Sequence, residues 1–356
     1  MPKFFVLAVL ALLLSLPAHA GEQEPIKIGV GAPLTGELAE FGEDVRAGID
    51  LAVQDINAKG GLLGRKLQPM YEDDGASPRQ GVTVANRFVS EKVAAVVNIF
   101  SPVCMATASI YAEENIPFLN ECNTDQITAK GWPNVIRVYP RNAQEAPKIA
   151  QLLAQQFKGK RLALIYTPHE YENDLAEGVM KLLESEHHTK PDAVHKLPEN
   201  GDDFSAIITR LKDERIEVIY LGLFPKAAGL FLRQAAMAGY RPQIVGNTAY
   251  IGDDIVRIAG RAADGVVFAT PSDPDYRPSA RPVVEALAAK NFKHRPIAVY
   301  AYVLMQVYAD AVLKTLKSET FDTIMGPISF SPKGDVVGLD LEYYRWFDGK
   351  FAPWKP

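Results

Sequence analysis

The 356-residue chain lacks an excess of positive charge, since 38 Lys and Arg residues against 43 Asp and Glu residues give a formal net charge of −5. Proteins that bind phosphate backbones carry clustered basic residues, and this sequence has no such patch. We therefore do not expect nucleic acid as a partner. Apolar residues make up 47% of the chain, and its length fits two domains of about 150 residues each.

The sequence also lacks the common catalytic and cofactor motifs. It contains neither a G-x-S-x-G elbow nor a G-x-x-x-x-G-K-[ST] phosphate loop. Gly29-Val30-Gly31 follows a predicted strand, but Pro33 and the spacing to Gly36 break a dinucleotide-binding fingerprint. The adjacent His187-His188 would point about 100° apart on a helix and would not share a metal ion. We expect no enzyme activity, no cofactor and no metal site.

Long apolar runs are missing except at the N-terminus, where Phe4 to Leu16 is broken only by Ser15. This run is shorter than the ~20 helical residues that span a bilayer. It is followed by Pro17-Ala18-His19-Ala20, an A-x-A cleavage pattern. We interpret residues 1–20 as a secretory signal peptide that is cleaved after Ala20, which predicts a soluble protein outside the inner membrane.

Cysteine is scarce, with only Cys104 and Cys122 in the whole chain. An oxidising compartment would permit a disulfide between them. Two buried free thiols would give the same sequence pattern, so both states remain open.

Strand and helix patterns alternate along the rest of the chain. Ile26 to Val30 is a predicted strand, and Phe41 to Lys59 has the apolar spacing of a helix that ends at Gly60-Gly61. Val93 to Ile99 is apolar on both faces, as in a parallel sheet that is covered on both sides. Repeated βα units predict two doubly wound α/β lobes with a ligand cleft between them. The tail, residues 328–330 and 341–347, predicts an antiparallel ribbon.

Small polar residues follow two of the predicted strands. Asn98-Ile99-Phe100-Ser101 closes one strand, and Asn120-Glu121-Cys122-Asn123-Thr124 closes the next. A hydroxyl group and free N–H groups at a helix N-terminus can bind an anion, so Ser101 and Thr124 could hold a ligand carboxylate. By itself, the pattern favours simple helix caps.

Several segments are similar to the periplasmic leucine/isoleucine/valine-binding proteins, the type I solute-binding subunits of branched-chain amino-acid ABC importers. The likeness covers nearly all of the chain after the signal peptide and rests on these segments: IKIGVGAPLTGELAEFGEDVRAGIDLAVQDINAKGGLLGRKL (Ile26 to Leu67), YEDDGASPRQGVTVANRFV (Tyr71 to Val89), ITAKG (Ile127 to Gly131), DFSAIITRLK (Asp203 to Lys212), FLRQAAMAG (Phe231 to Gly239) and MGPISFSPKGDVVG (Met325 to Gly338).

This resemblance implies a type I periplasmic binding protein fold, an α/β structure of two Rossmann-like lobes joined by three crossovers. Lobe one would comprise residues 25–138 and 272–326. Lobe two would comprise residues 139–271 and 327–356.

The resemblance also implies the ligand-binding residues of lobe one. Ser101, the backbone of Cys122 and Thr124 match the positions that grip the ligand carboxylate. Phe41 matches an aromatic residue that lines the pocket.

In lobe two, Tyr171 matches a tyrosine that helps to close over the ligand, and Phe224 stands where the family often has another tyrosine. Thr248 occupies the position of the acidic residue that pairs with the ligand ammonium. Because a buried ammonium needs a partner, another acid must serve or the ligand lacks an α-ammonium. Glu121 is the first substitute that we expect, and Glu172 is the next.

Aromatic residues of both lobes would suit an apolar or flat ligand. Some of them could instead belong to the hydrophobic core. The residues concerned are Phe41, Phe100, Tyr171, Phe224 and Tyr250.

The resemblance implies a monomeric periplasmic subunit that captures a small carboxylate-bearing ligand by hinge closure and delivers it to an inner-membrane ABC permease. One alternative is the same fold with a non-amino-acid ligand, such as an aromatic or aliphatic carboxylate, an amide or urea. Another is a periplasmic ligand sensor. A secreted hydrolase is a third possibility, but it would need a base beside Ser101, and His169 is expected in the opposite lobe.

Overall fold

The computed structural model describes residues 24–198, 201–290, 292, 296–313 and 320–356. The predicted signal peptide and its cleavage after Ala20 lie outside these residues. Within the described part, no helix combines the length and the apolar character that a membrane crossing requires.

The first part of the chain builds a five-stranded sheet from parallel strands. These strands are β1 (Ile26–Ala32), β2 (Leu67–Asp73), β3 (Ala95–Asn98), β4 (Phe118–Asn120) and β5 (Val135–Arg137), in the spatial order β2-β1-β3-β4-β5. The helices between them are α1 (Ala39–Ala58), α2 (Pro78–Ser90), α3 (Ser101–Glu113) and α4 (Gln126–Ala129). We call this sheet, its helices and the later segments that pack on it lobe one.

The chain then builds a second sheet, which with its helices forms lobe two. Its parallel strands are β6 (Leu162–Tyr166), β7 (Ala193–Lys196), β8 (Val218–Gly222), β9 (Gln243–Gly246) and β10 (Val267–Pro271). The accompanying helices are α5 (Asn142–Gln156), α6 (Glu170–Ser185), α7 (Ser205–Asp213), α8 (Pro225–Met237) and α9 (Asp254–Ala259).

After β10 the chain returns to lobe one through α10 (Arg281–Ala289) and α11 (Pro296–Leu313), which both pack on α1. The apolar face of α1 has the helical spacing predicted from the sequence, with Val45 and Ile49 fully buried. Gly48 permits the close approach of α1 to α11, because a Cβ atom there would lie 1.9 Å from the Ala298 carbonyl oxygen.

A small antiparallel sheet follows, made of β11 (Phe321–Thr323), β12 (Gly326–Phe330) and β13 (Val336–Val337). Ile328 and Val336, which lie beyond the predicted lobe-one range 272–326, pack into the lobe-one core.

The last two strands, β14 (Leu341–Phe347) and β15 (Lys350–Pro353), join the second sheet, whose full order is β15-β14-β10-β9-β8-β6-β7. The prediction that residues 328–330 and 341–347 form one antiparallel ribbon is therefore wrong. β12 pairs with β11 and β13, whereas β14 pairs with β10 and β15. An alternating pattern identifies a strand but not its partner, which tertiary packing decides.

The alternation of strands and helices and the two largely parallel sheets confirm the predicted α/β fold of two doubly wound lobes. The chain passes between the lobes after β5, after β10 and before β14. The carboxyl ends of β3 and β4 in lobe one face a shared pocket with lobe two, which is where open α/β sheets bind their ligands.

Candidate ligand-binding site

A pocket with about 550 Å³ of empty space, part of it open to solvent, lies between the two lobes. It contains six of the eight residues that the sequence analysis singled out, which are Phe41, Ser101, Glu121, Tyr171, Phe224 and Thr248. Its other lining residues are Ile99, Phe100, Asn123, Tyr139, Ala249 and Ile297. The remaining two predicted residues, Cys122 and Thr124, lie next to this wall in the loop after β4 but do not line the pocket.

The lobe-one wall is built where two parallel strands end. Phe100 connects β3 to α3 with a φ of 66°, a left-handed conformation that non-glycine residues adopt at a cost and that is common at functional sites. Ser101 then begins α3, and its Oγ accepts a hydrogen bond from the Thr124 N–H at 3.2 Å. The Ser101 hydroxyl thus keeps its own proton for donation, at a helix N-terminus that favours an anion.

The loop after β4 is held by bonds to β4, to α3 and to lobe two. The Cys122 N–H donates to Asn120 Oδ1 at 3.3 Å, and the Thr124 hydroxyl donates to Asp174 Oδ2 of lobe two at 3.3 Å. Cys122 also forms a disulfide with Cys104 of α3, with the two Cα atoms 6.6 Å apart. The disulfide, which the sequence left open, therefore ties the loop after β4 to helix α3.

Arg137, at the end of β5, holds this loop in place through hydrogen bonds to its backbone. Its Nη1 donates to the carbonyl oxygens of Cys122 at 2.6 Å and Thr124 at 2.8 Å. The guanidinium is completely buried, and its Nε lies 3.2 Å from Asp335 Oδ1. This residue was not predicted from the sequence. The signal available was a lone arginine within the otherwise apolar run Val135-Ile136-Arg137-Val138.

The apolar part of the pocket is a set of aromatic rings from both lobes. Phe41 meets Phe100 edge to face at 5.4 Å between ring centroids, and Phe100 meets Phe224 across the cleft at 6.1 Å. Phe224 in turn contacts Tyr171 at 6.2 Å and His169 at 4.9 Å. These rings can enclose a branched aliphatic or a flat ligand body.

Tyr250 does not belong to this set. It is completely buried in the lobe-two core, and its hydroxyl donates to the Leu221 carbonyl oxygen at 2.7 Å. Of the two possibilities given for this residue, the structure places it in the core, because the short helical turn after β9 directs the ring under the sheet.

Glu121 is the acid at the pocket wall. Its side chain is buried, and its Oε1 has no hydrogen-bond partner among the described residues. Burial raises the pKa of Glu121 well above its usual value, and the nearby negative charge of Asp44 adds to this. Glu172, the second candidate, accepts a hydrogen bond from Thr167 and does not line the pocket.

Glu145, in the first turn of α5, is a second buried acid at the pocket, and the sequence analysis missed it. Its Oε1 accepts a hydrogen bond from the Thr248 N–H at 2.7 Å. Its Oε2 lies 3.3 Å from Thr248 Oγ1 and 3.2 Å from the Tyr171 hydroxyl. Burial raises the pKa of Glu145 to about 8, against the lowering effect of these hydrogen bonds.

A sequence signal for Glu145 did exist. The residue lies four positions before Ile149 and therefore on the apolar, inward face of α5. A charged residue at such a position needs a specific partner.

Glu121 lines the pocket and Glu145 lies buried behind its lobe-two wall, and none of the described residues that line the pocket is Lys, Arg or His. No described Lys, Arg or His forms an ion pair with Glu121 or Glu145. The described residues also contain no group of three or more His, Cys, Asp and Glu side chains arranged to hold a metal ion. Buried carboxyl groups without a counter-charge favour a ligand that supplies one.

Contacts at the mouth of the pocket link the two lobes directly. Lys226 of α8 pairs with Glu37, and Arg257 of α9 pairs with Glu40 of α1 at 2.9 Å. All four side chains are substantially exposed, so each pair stabilises this arrangement only weakly.

Residues 25–348 match the family model described as periplasmic binding protein. The chain is 30% identical to the Leu/Ile/Val/Thr-binding protein of Salmonella typhimurium, over 97% of this chain and 96% of that protein. Its fold is similar to that of a leucine-binding protein from Thermotoga maritima, with a TM-score of 0.82 at 22% identity over 93% of this chain and 98% of the other. A solute-binding protein from R. palustris in complex with benzoate gives a TM-score of 0.83 at 21% identity over 92% and 95%.

Proposed function

The chain belongs to the periplasmic binding protein family, and on this basis we propose that it captures an apolar α-amino acid between its lobes and delivers it to an ABC permease. The process needs no chemical step. Ligand binding selects the closed arrangement of the lobes, and the closed form is what the permease recognises.

The observation that carries this proposal is that Ser101 and Glu121 face one pocket. Ser101 offers a hydroxyl proton at a helix N-terminus, which suits a carboxylate. Glu121 offers a buried carboxyl oxygen that no described residue bonds, which suits an ammonium. An α-amino acid carries both groups, and its side chain would lie among Phe41, Phe100 and Phe224. The name of the Salmonella relative, a Leu/Ile/Val/Thr-binding protein, supports the same ligand class.

In this proposal the remaining site residues have supporting roles. The Thr124 N–H and the backbone at Cys122 would turn toward the ligand carboxylate once it displaces their present acceptors, Ser101 Oγ and Asn120 Oδ1. Tyr171 and Thr248 would contact the ligand from lobe two.

A second candidate ligand is an aromatic carboxylate, because the R. palustris neighbour binds benzoate and the ring-lined wall suits a flat body. The described residues of this pocket offer it no counter-charge. A ligand with a single negative charge would enter beside Glu121 and Glu145 with no described cation to compensate.

The place of action that we propose is the periplasm, with the protein acting as a monomer and without catalysis. The Ser101 Oγ bonds to the Thr124 N–H rather than to a histidine base, so the arrangement lacks an activated nucleophile. Co-purification with a permease rather than with a sensor kinase would separate transport from a sensing role.

Thermal-shift and calorimetric titrations of the purified protein test the ligand class. The panel pairs each amino acid with its des-amino analogue: leucine with 4-methylpentanoate and phenylalanine with 3-phenylpropanoate, with benzoate and urea as further members. A ligand at 100 times its Kd adds about 2.7 kcal/mol of stability. We expect shifts with the amino acids alone. Shifts confined to the des-amino acids or benzoate would refute the proposed ligand class.

A further inference from the structure

We propose that Glu145, acting through the hydroxyl groups of Thr248 and Tyr171, forms the lobe-two half of an ammonium site whose lobe-one half is Glu121. This inference rests on the proposed function, since it assigns the recognition of the amine in the same pocket. It makes Glu145 a positioning and specificity-determining residue, although Glu145 itself lies behind the pocket wall.

The geometry that points to this role is a triangle of three closely spaced oxygen atoms. Thr248 Oγ1 and the Tyr171 hydroxyl lie 2.9 Å apart, and both lie within 3.3 Å of Glu145 Oε2. Thr248 and Tyr171 line the pocket, and Glu145 is completely buried behind them. The carboxyl group therefore reaches the pocket only through these two hydroxyl groups.

The raised pKa of Glu145 keeps its carboxyl group protonated near neutral pH in the ligand-free protein. An ammonium group in the pocket favours the ionised form, and an ionised carboxylate can only accept hydrogen bonds. It therefore draws the hydroxyl protons of Thr248 and Tyr171 toward itself, which leaves oxygen lone pairs directed at the pocket. Lone pairs are what the three N–H donors of an ammonium group require. With Glu121 on the opposite wall, an ammonium between the lobes would find acceptors on both sides.

Among the described residues, no Lys, Arg or His forms an ion pair with Glu145 that would supply this counter-charge. The titratable side chains that face it are the phenols of Tyr139, Tyr171 and Tyr220, which come from three separate segments. Burial raises the pKa of all three phenols, so they remain neutral. A cation that pairs with Glu145 must therefore come from the ligand.

The simpler interpretation is that Glu145 is structural and only anchors the Thr248 N–H. The substitution Glu145→Gln separates the two interpretations. A glutamine keeps an acceptor for the Thr248 N–H, but its NH₂ group donates to a hydroxyl oxygen. The hydroxyl protons would then turn toward the pocket, and the wall would offer donors in place of acceptors.

The experiment measures the Kd of leucine and of 4-methylpentanoate for each variant by calorimetry. For E145Q we expect leucine affinity to fall by about tenfold or more, as for a hydrogen bond to a charged group. The affinity for 4-methylpentanoate should stay within about twofold or increase. The double variant E145Q/T248E, which returns a carboxylate to the pocket wall, should regain leucine affinity.

The matched control is Glu172→Gln, which alters another buried glutamate of lobe two that is hydrogen-bonded to a threonine but does not line the pocket. It should leave the ratio of the two Kd values unchanged. If E145Q does not fold, Tyr171→Phe removes one of the two hydroxyl groups and should weaken leucine binding selectively.

Equal weakening of both ligands in E145Q would overturn the inference in favour of a purely structural role, and unchanged leucine binding would overturn it as well. A wild-type protein that binds no amino acid would instead refute the proposed function. The two failures are thus distinguished by the wild-type titration alone.

Discussion

Arg137 and Asp335 lie 198 positions apart in the sequence and form a buried ion pair beneath the ligand pocket. Asp335 belongs to the loop between β12 and β13, and its Oδ1 also accepts a hydrogen bond from Thr128 at 2.8 Å. Asp335 thereby holds Arg137 in position, and Arg137 in turn orients the carbonyl oxygens of Cys122 and Thr124. The shape of the lobe-one wall therefore depends on a contact far outside the pocket.

Asp335→Asn should destabilise the protein strongly, because the buried Arg137 guanidinium loses its ion-pair partner. Breaking one side of a buried pair costs about 3 kcal/mol or more. Urea denaturation monitored by circular dichroism measures this loss. Glu72→Gln, which breaks the exposed pair with Arg87, is the control and should cost less than about 1 kcal/mol. Similar losses in the two variants would contradict this account of Arg137.

Ser101→Ala should weaken the binding of any carboxylate ligand by about tenfold or more, because the variant loses a hydroxyl donor to a charged group. It also removes the acceptor of the Thr124 N–H. Calorimetric titration with the ligand found in the panel measures the change. Ser90→Ala, at the end of α2 and bonded to the Arg87 carbonyl oxygen, is the matched control. Unchanged affinity in Ser101→Ala would place the carboxylate elsewhere.

The free energy of unfolding of the ligand-free protein should fall as pH rises from about 4.5 to about 8. Burial raises the pKa of Glu145 from 4.5 to about 8. Between these values the native state holds a proton that the unfolded chain has released, so raising the pH favours unfolding. Each pKa unit corresponds to about 1.4 kcal/mol, which gives a loss on the order of a few kcal/mol.

Comparison with E145Q isolates this contribution. Asp74 and Asp273, whose pKa values burial raises to about 7 and about 6, titrate in the same range but are present in both proteins. Denaturant unfolding at pH 5 and pH 8 should show the larger loss in the wild-type protein. A pH dependence identical in both would mean that Glu145 titrates normally.

Reduction of the Cys104–Cys122 disulfide should lower stability by about 3 kcal/mol, the entropic contribution of a crosslink between residues 18 positions apart. Reduction should also weaken ligand binding, because Cys122 lies in the loop after β4, between the proposed site residues Glu121 and Thr124. The chain has no other cysteine, so dithiothreitol acts on this bond alone. A Cys104→Ala/Cys122→Ala variant should not respond to the reductant, and a wild-type protein equally insensitive to it would show that the bond contributes nothing.

The fold could be predicted because its signals are local. Apolar spacing within α1 and the apolar run before Ile99 each indicate one element, and their alternation indicates the parallel sheets. The grouping of Phe41, Ser101 and Thr248 at one pocket followed from strand ends and from the family resemblance. What remained hidden depends on distant partners. Glu145 meets Thr248 across 103 positions, and no sequence pattern encodes such a contact.

Tyr250 and the segment 341–347 also show that the sequence does not determine which neighbours an element or side chain packs against. Each was identified as a residue or strand of the right kind, but tertiary packing chose its neighbours. An aromatic residue near a strand end can face the pocket or the core, and only the turn after β9 decides between them.

The chain returns to lobe one with α10, α11 and the strands β11 to β13, and to lobe two with β14, which has a consequence for how it folds. Neither lobe is a continuous stretch. The lobe-one core closes only when α1 meets α11, more than 200 positions later, and the second sheet is completed only when β10 pairs with β14, about 70 positions later. Such a topology has high contact order and should fold slowly for its secondary structure content. An N-terminal fragment that ends before α11 would expose the face of α1 that α11 covers. We therefore expect isolated lobes to aggregate and folding to be cooperative over the whole molecule.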